Sequence, residues 1–124
     1  MKLIYVCSRL KSDETHSLEF HIAVTETICR GIIRNFNGEY LPVAPHLYLP
    51  HFMNDNVADE RQMACSIGIE LLKKCCEMKV IVVDGIISEG MLAEIYAAQQ
   101  QGIPIDFFYC TKEEMMEIIT LNKE

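Results

Sequence analysis

The sequence has no block of lysine or arginine; its 11 basic residues are scattered among 18 acidic ones, and the net charge is -7. Without a basic patch there is no electrostatic footprint for DNA, RNA or an anionic membrane, so polymeric nucleic acid is not an expected partner. A small anionic ligand stays open, because one arginine and a helix N-terminus can hold a phosphate whatever the global charge. Long apolar runs are missing too. Every apolar stretch is short and broken by charge, so none is expected to span a bilayer. Nor does the start read as a signal peptide, since Met1-Lys2 leads into only five apolar residues before Ser8, Arg9 and Lys11. These absences predict a soluble, cytoplasmic chain.

Six cysteines are present, yet there is no CxxC pair and no Cys/His spacing of zinc type. Cys7, Cys29, Cys65, Cys75 and Cys76 fall in apolar segments and are expected to be small, reduced hydrophobes, with no metal site. Phosphate-loop signatures are absent as well. The first apolar run is followed by SRLKSDE rather than by GxGxxG or a GKS/GKT loop, which sets aside NAD-type and P-loop functions and predicts no cofactor. There is no internal repeat and no low-complexity tract. A chain of 124 residues is therefore read as one domain, 1–124, able to bury roughly 65–68% of its unfolded surface without disulfides or metal.

What is present alternates. Leu3–Cys7 is an apolar run of strand length, and between Ser17 and Phe36 the residues Phe20, Val24, Ile28, Ile32 and Phe36 step by four, with Asn37-Gly38 as the stop. Tyr40–Ala44 reads as a short second strand, after which Pro42, Pro45 and Pro50 are expected to forbid regular structure through His51. A second helical stripe, Ala64, Ile67, Gly68, Leu71, Leu72 and Cys75, lies between Val57 and Glu77. Lys79–Asp84 contains the β-branched run Val80-Ile81-Val82-Val83, the mark of a central strand covered on both faces. Ser88 is a good N-cap for a helix to about Gln101, closed by Gly102; Ile103–Tyr109 reads as a fourth strand, and Thr111 with Glu114 starts a last helix. Strict alternation predicts an α/β three-layer sandwich with an open parallel sheet of about four to five strands. In the order 2-1-3-4 ligands would sit beyond the carboxyl ends of strands 1 and 3, facing Cys7-Ser8-Arg9 and Asp84 through Gly90.

Glu94 stands out there, within two turns of a helix start and at the border of its apolar face, where it could be an ordinary surface acid or an ionised group beside a pocket. Tyr5, inside an apolar strand, needs a partner for its hydroxyl, and Glu94 is a candidate. The stretch from Pro42 to Phe52, with His46, Tyr48 and His51, could wall a pocket for a flat ring.

The combination of IYVCSR, PVAPHLYLPHF and ISEGMLAEI followed by GIPI resembles the nucleoside 2-deoxyribosyltransferase-like family, from residue 3 to about residue 106. Gly90-Met91-Leu92-Ala93-Glu94-Ile95 is similar to that family's G-x-x-x-E-[LIV] nucleophile motif. The resemblance implies a flavodoxin-like fold. It also implies Glu94 as a nucleophile toward C1′ of a 2′-deoxyribonucleoside, oriented by Tyr5, and a homo-oligomer. Ser88, six residues before the motif Glu, stands where the related deoxynucleotide N-hydrolases carry Ser for a 5′-phosphate and the transferases Asp. Ser88, Gly90 and Arg9 would then make a phosphate cradle, with Ser8, His46, Asp84 and Met91 also at the ligand. Where the family often has an Asp before the third strand, this chain reads Cys75-Cys76-Glu77, leaving Glu77 or, better by position, Asp84 to handle the base. A nucleotide-binding or sensing module without catalysis is the alternative on the same fold.

Overall fold

The computed structural model describes residues 1–123. Its elements run β1 (Lys2–Cys7), α1 (Leu18–Asn35), β2 (Tyr40–Val43), two single 3-10 turns (Pro45–Leu47 and Leu49–His51), α2 (Ala58–Lys73), β3 (Glu77–Val83), α3 (Glu89–Gln100), β4 (Ile105–Cys110) and α4 (Lys112–Leu121). The four strands are parallel in the order β2-β1-β3-β4. β1 therefore borders the point where the strand order reverses, as the alternation predicted.

Local chemistry sets the helix ends. The hydroxyls of Ser17, Ser88 and Thr111 accept from the backbone N–H three residues on, at 3.0, 3.2 and 3.0 Å, and Glu114 reaches back to the Thr111 N–H to complete a capping box. α3 ends in a Schellman arrangement: Gly102 at φ 69° gives its N–H to Gln99 and Ile103 to Ala98.

Side chains alternate along β1 and β3 to build two cores. Tyr5, Cys7, Met78, Val80 and Val82 pack under α2 and α3 with Leu72, Met91, Ile95 and Ala98. Ile4, Val6 and Ile81 pack under α1 and α4 with Phe20, Val24, Ile32, Met115 and Ile119. A central strand covered on both faces is what the β-branched run required.

Several details differ from the sequence reading, and β2 and β3 end one residue early, at Val43 and Val83. α2 stops at Lys73 and β3 starts at Glu77, because the Cys76 N–H bonds to the Leu3 carbonyl at 2.8 Å and Ile4 pairs with Glu77, drawing this segment into the sheet. The prolines do not forbid regular structure after β2; Pro45 opens the first 3-10 turn and Pro50 is the second residue of the other, where a missing N–H is harmless. β4 begins at Ile105 because Ile103 caps α3. Among the described residues no helix is long and apolar enough to cross a membrane.

Candidate active site

Alternation along β1 sends Tyr5 toward α3, and Glu94, the sixth residue of α3, lies on the helix flank that meets it. The Tyr5 hydroxyl donates to Glu94 Oε2. Gly68 of α2 closes over the pair: a Cβ there would stand 3.4 Å from Tyr5 Oη and 3.9 Å from Glu94 Oε2. The Cys7 thiol lies 3.8 Å from the Met91 carbonyl.

Burial governs the electrostatics here. It raises the Tyr5 phenol far above its ordinary range, with the Glu94 charge adding to it, so Tyr5 stays protonated and always donates. Burial also pushes Glu94 up, against the hydrogen bond from Tyr5 that favours its ionised form. The Cys7 thiol is raised strongly by burial and then by Glu94, so it is no thiolate nucleophile.

The remaining predicted residues sit elsewhere along the same sheet edge. Ser8, the next outward step of β1, faces α1 and bonds Thr25 Oγ1 at 2.6 Å and His46 Nε2 at 2.9 Å. Burial brings the His46 imidazole down to about 4, so it is neutral at physiological pH. Arg9 Nη1 lies 3.0 Å from Asp13 Oδ2, close enough for charge attraction but off-line for a hydrogen bond. With His16, His21, Ile81, Val83 and Ile86 it lines a small crevice. His16, 4% exposed, places Nδ1 3.0 Å from Asp13 and Nε2 2.7 Å from Asp84. The Asp84 bond raises His16 and lowers Asp84, while Asp13 is held below the usual carboxylate range chiefly by the Thr15 N–H and then by His16.

Four expectations change on these grounds. Glu77 opens β3, at the amino end of the strand, six residues or about 20 Å from its carboxyl end, so it cannot handle a base at the site. Asp84 has both oxygens engaged, one by His16 and one by the Lys112 N–H, in a left-handed turn at φ 55° that fastens α4 and the loop after β1. Met91 is 1% exposed and packs in the core, so its side chain lines no ligand site. Arg9 is held among Asp13, His16 and His21 on the α1 side rather than beside Ser88. Ser88 caps α3 and Gly90 lies exposed in its first turn, where their hydroxyl and backbone can meet a ligand.

Sequence reasoning missed Gly68, Thr25 and His16. Gly68 was visible only as a small member of an apolar stripe, Thr25 as an ordinary helical residue, and His16 as part of a polar loop; none carries a local signal.

The fold is shared with a solved 2-deoxyribosyltransferase from the psychrotolerant bacterium Bacillus psychrosaccharolyticus, at a TM-score of 0.67 and 16% identity over 88% of this chain and 73% of that one. At that identity the likeness is one of fold. No curated protein matches the sequence. A family profile described as a domain of unknown function matches residues 2–108, and the chain belongs to that family, DUF7768.

Proposed function

We propose that the chain cleaves the N-glycosidic bond of a 2′-deoxyribonucleoside or its 5′-monophosphate, with Glu94 as nucleophile and Tyr5 as its orienting donor. The observation that carries this is the part-buried phenol–carboxylate pair between β1 and α3; the fold shared with a 2-deoxyribosyltransferase supports it. A Glu94 oxygen bonds to C1′ as the C1′–N bond breaks; the base leaves with the electron pair and takes up a proton from solvent water, to which the attacking base or water returns one in the second step. A second base, or water, then attacks C1′, the ester C1′–O bond breaks, and Glu94 returns as carboxylate with net retention. The permanently protonated phenol holds the oxygen that does not attack. Ser88 and Gly90, at the N-terminus of α3, are the phosphate contacts in this reading. The chain works as a homo-oligomer in the cytoplasm, where its six free thiols stay reduced.

A second reading, a nucleotide-binding module without catalysis, is favoured by one observation: burial pushes Glu94 toward its protonated form, which donates a hydrogen bond instead of attacking. One experiment separates them. The protein is incubated with each 2′-deoxynucleoside and 5′-monophosphate, with and without a second base, beside Glu94→Ala. Base release or exchange that vanishes in the variant is expected. Ligand-induced thermal stabilisation with no release of base would support the binding module instead. Light scattering of the same preparation reads the oligomer.

A further inference from the structure

Ser8, Thr25 and His46 form a buried polar cluster that the proposed reaction leaves unused. Ser8 Oγ stands 2.6 Å from Thr25 Oγ1 and 2.9 Å from His46 Nε2, Thr25 Oγ1 lies 3.2 Å from His46 Nε2, and Thr25 donates to the His21 carbonyl at 3.1 Å. Counting protons decides how these contacts are filled. A carbonyl cannot donate, so the Thr25 hydrogen goes to His21. The 2.6 Å contact then needs the Ser8 hydrogen, directed to Thr25. Ser8 has none left for His46, so the third contact is filled only if Nε2 carries a proton and donates to Ser8. With Nε2 bare, two hydrogens must serve four contacts and two are left as facing lone pairs, whereas a proton on Nε2, directed at Ser8 and shared with Thr25, leaves none.

We infer that Thr25, acting through Ser8, fixes His46 as the tautomer protonated on Nε2, leaving Nδ1 as a bare acceptor that selects a ligand base carrying an amino group on the edge it meets. Only the ligand half of this rests on the proposed function. Nδ1 makes no hydrogen bond within the described residues, and it is not among the sealed side-chain atoms left without a partner, which are Arg9 Nη1 and His21 Nε2. It is therefore the ring nitrogen that the fold leaves without a partner and does not fully seal. The imidazole is neutral near pH 7, so the acceptor is not lost to protonation there. His46 sits within the first 3-10 turn after β2, beyond the carboxyl end of that strand, which pairs with β1. Thr25 is a positioning residue: it never meets the ligand, yet it decides whether the imidazole accepts or donates.

The test uses the full chain with 15N-labelled histidine at pH 7. Long-range proton–nitrogen correlation should show His46 with a protonated Nε2 and a bare Nδ1. Thr25→Val removes the acceptor of the Ser8 hydrogen, which turns to His46 Nε2 and moves the ring proton to Nδ1; Thr25→Ser restores the wild-type pattern. In parallel, kcat/KM is compared for 2′-deoxyadenosine against 2′-deoxyinosine and for 2′-deoxycytidine against 2′-deoxyuridine. Wild type should favour the amino member of each pair by about five- to tenfold, the worth of one hydrogen bond, and Thr25→Val should abolish or reverse that preference. A wild-type proton on Nδ1 overturns the inference without any substrate, even if Thr25→Val does not fold. The expected tautomer with an unchanged preference in Thr25→Val overturns the ligand half alone. No turnover of any nucleoside or its 5′-monophosphate defeats that half together with the proposed function, and the spectrum still decides the tautomer.

Discussion

On the α2/α3 face of the sheet a single carboxylate, Glu94, lies among Tyr5, Cys7, Met91 and Ile95 with only hydroxyl and thiol hydrogens for company. On the α1/α4 face Arg9, Asp13, His16, Asp84 and Lys112 engage one another: His16 bridges two carboxylates, and the Lys112 ammonium bonds the Thr15 carbonyl at 2.5 Å. Paired charge ties loops together and is content with its fold. A charge desolvated without a cation is held at a disadvantage, and such a group is a candidate for chemistry because a ligand can relieve it. The contrast separates an acid that fastens from an acid that reacts, though both stand at the same edge of one sheet.

The largest expected effect attacks that contrast directly. Glu94→Gln should lower turnover by ~10^3-fold or more, as loss of a nucleophile does, and yet raise Tm at pH 7. The amide oxygen still accepts from Tyr5, but no charge has to be desolvated. The sign follows from linkage: Glu94 titrates above its unfolded value, so its contribution to wild-type stability is present in acid and lost as pH rises through the folded value. The Tm gain of the variant should therefore be absent in acid and grow above about pH 4.5. Equal melting temperatures across the range would show that Glu94 is as well compensated as Asp84.

Tyr5→Phe is next. It keeps the packing and removes the hydrogen bond that favours the carboxylate, so Glu94 rises further; activity should fall roughly ten- to hundredfold, with the acid limb of the pH–rate profile moved upward. A drop without that movement would mean Tyr5 only fills space.

His16→Gln probes the other face and should leave the chemistry alone while lowering Tm by about 3–5 °C, the effect of roughly 1 kcal/mol in a domain of this size. His16 is raised above 6.5, so its contribution is complete below that and is lost as pH rises through the folded value. Asp13 and Asp84 are lowered from 3.8, so theirs is present above that and fades in stronger acid. The deficit of the variant should thus be greatest between about pH 4 and 6.5, and a pH-independent deficit would refute the charged clamp.

The smallest effect concerns the thiols. Cys65 and Cys76 are exposed and should react at once with a disulfide reagent, whereas Cys7 and Cys75, buried and raised by that burial, should react only on unfolding. Rapid modification of Cys7 in the native protein would mean that the Glu94 side of the sheet is not closed.

The alternation of strands and helices, their order in the chain, the caps at Ser17, Ser88 and Thr111, and the approach of Tyr5 to Glu94 were all legible in the sequence. Periods of two and 3.6 residues and side-chain bonds to the backbone three residues away are local, so they are written where they act. The boundary between α2 and β3 was not legible, because an apolar cysteine-rich segment suits either element until β1 pairs with it. The sorting of polar residues between the two faces was not legible either. Tyr5 meets Glu94 across 89 positions of chain and His16 meets Asp84 across 68; the first meeting was foreseeable from one unmet hydroxyl, the second from nothing local. By itself the sequence determined an open parallel α/β sheet with an acid on the flank of its third helix. The tertiary structure alone decided which acid would be buried unpaired, which would be bound by a histidine, and which, like Glu77, would lie at the wrong end of a strand, because the neutralising partner of each charge comes from a distant part of the chain.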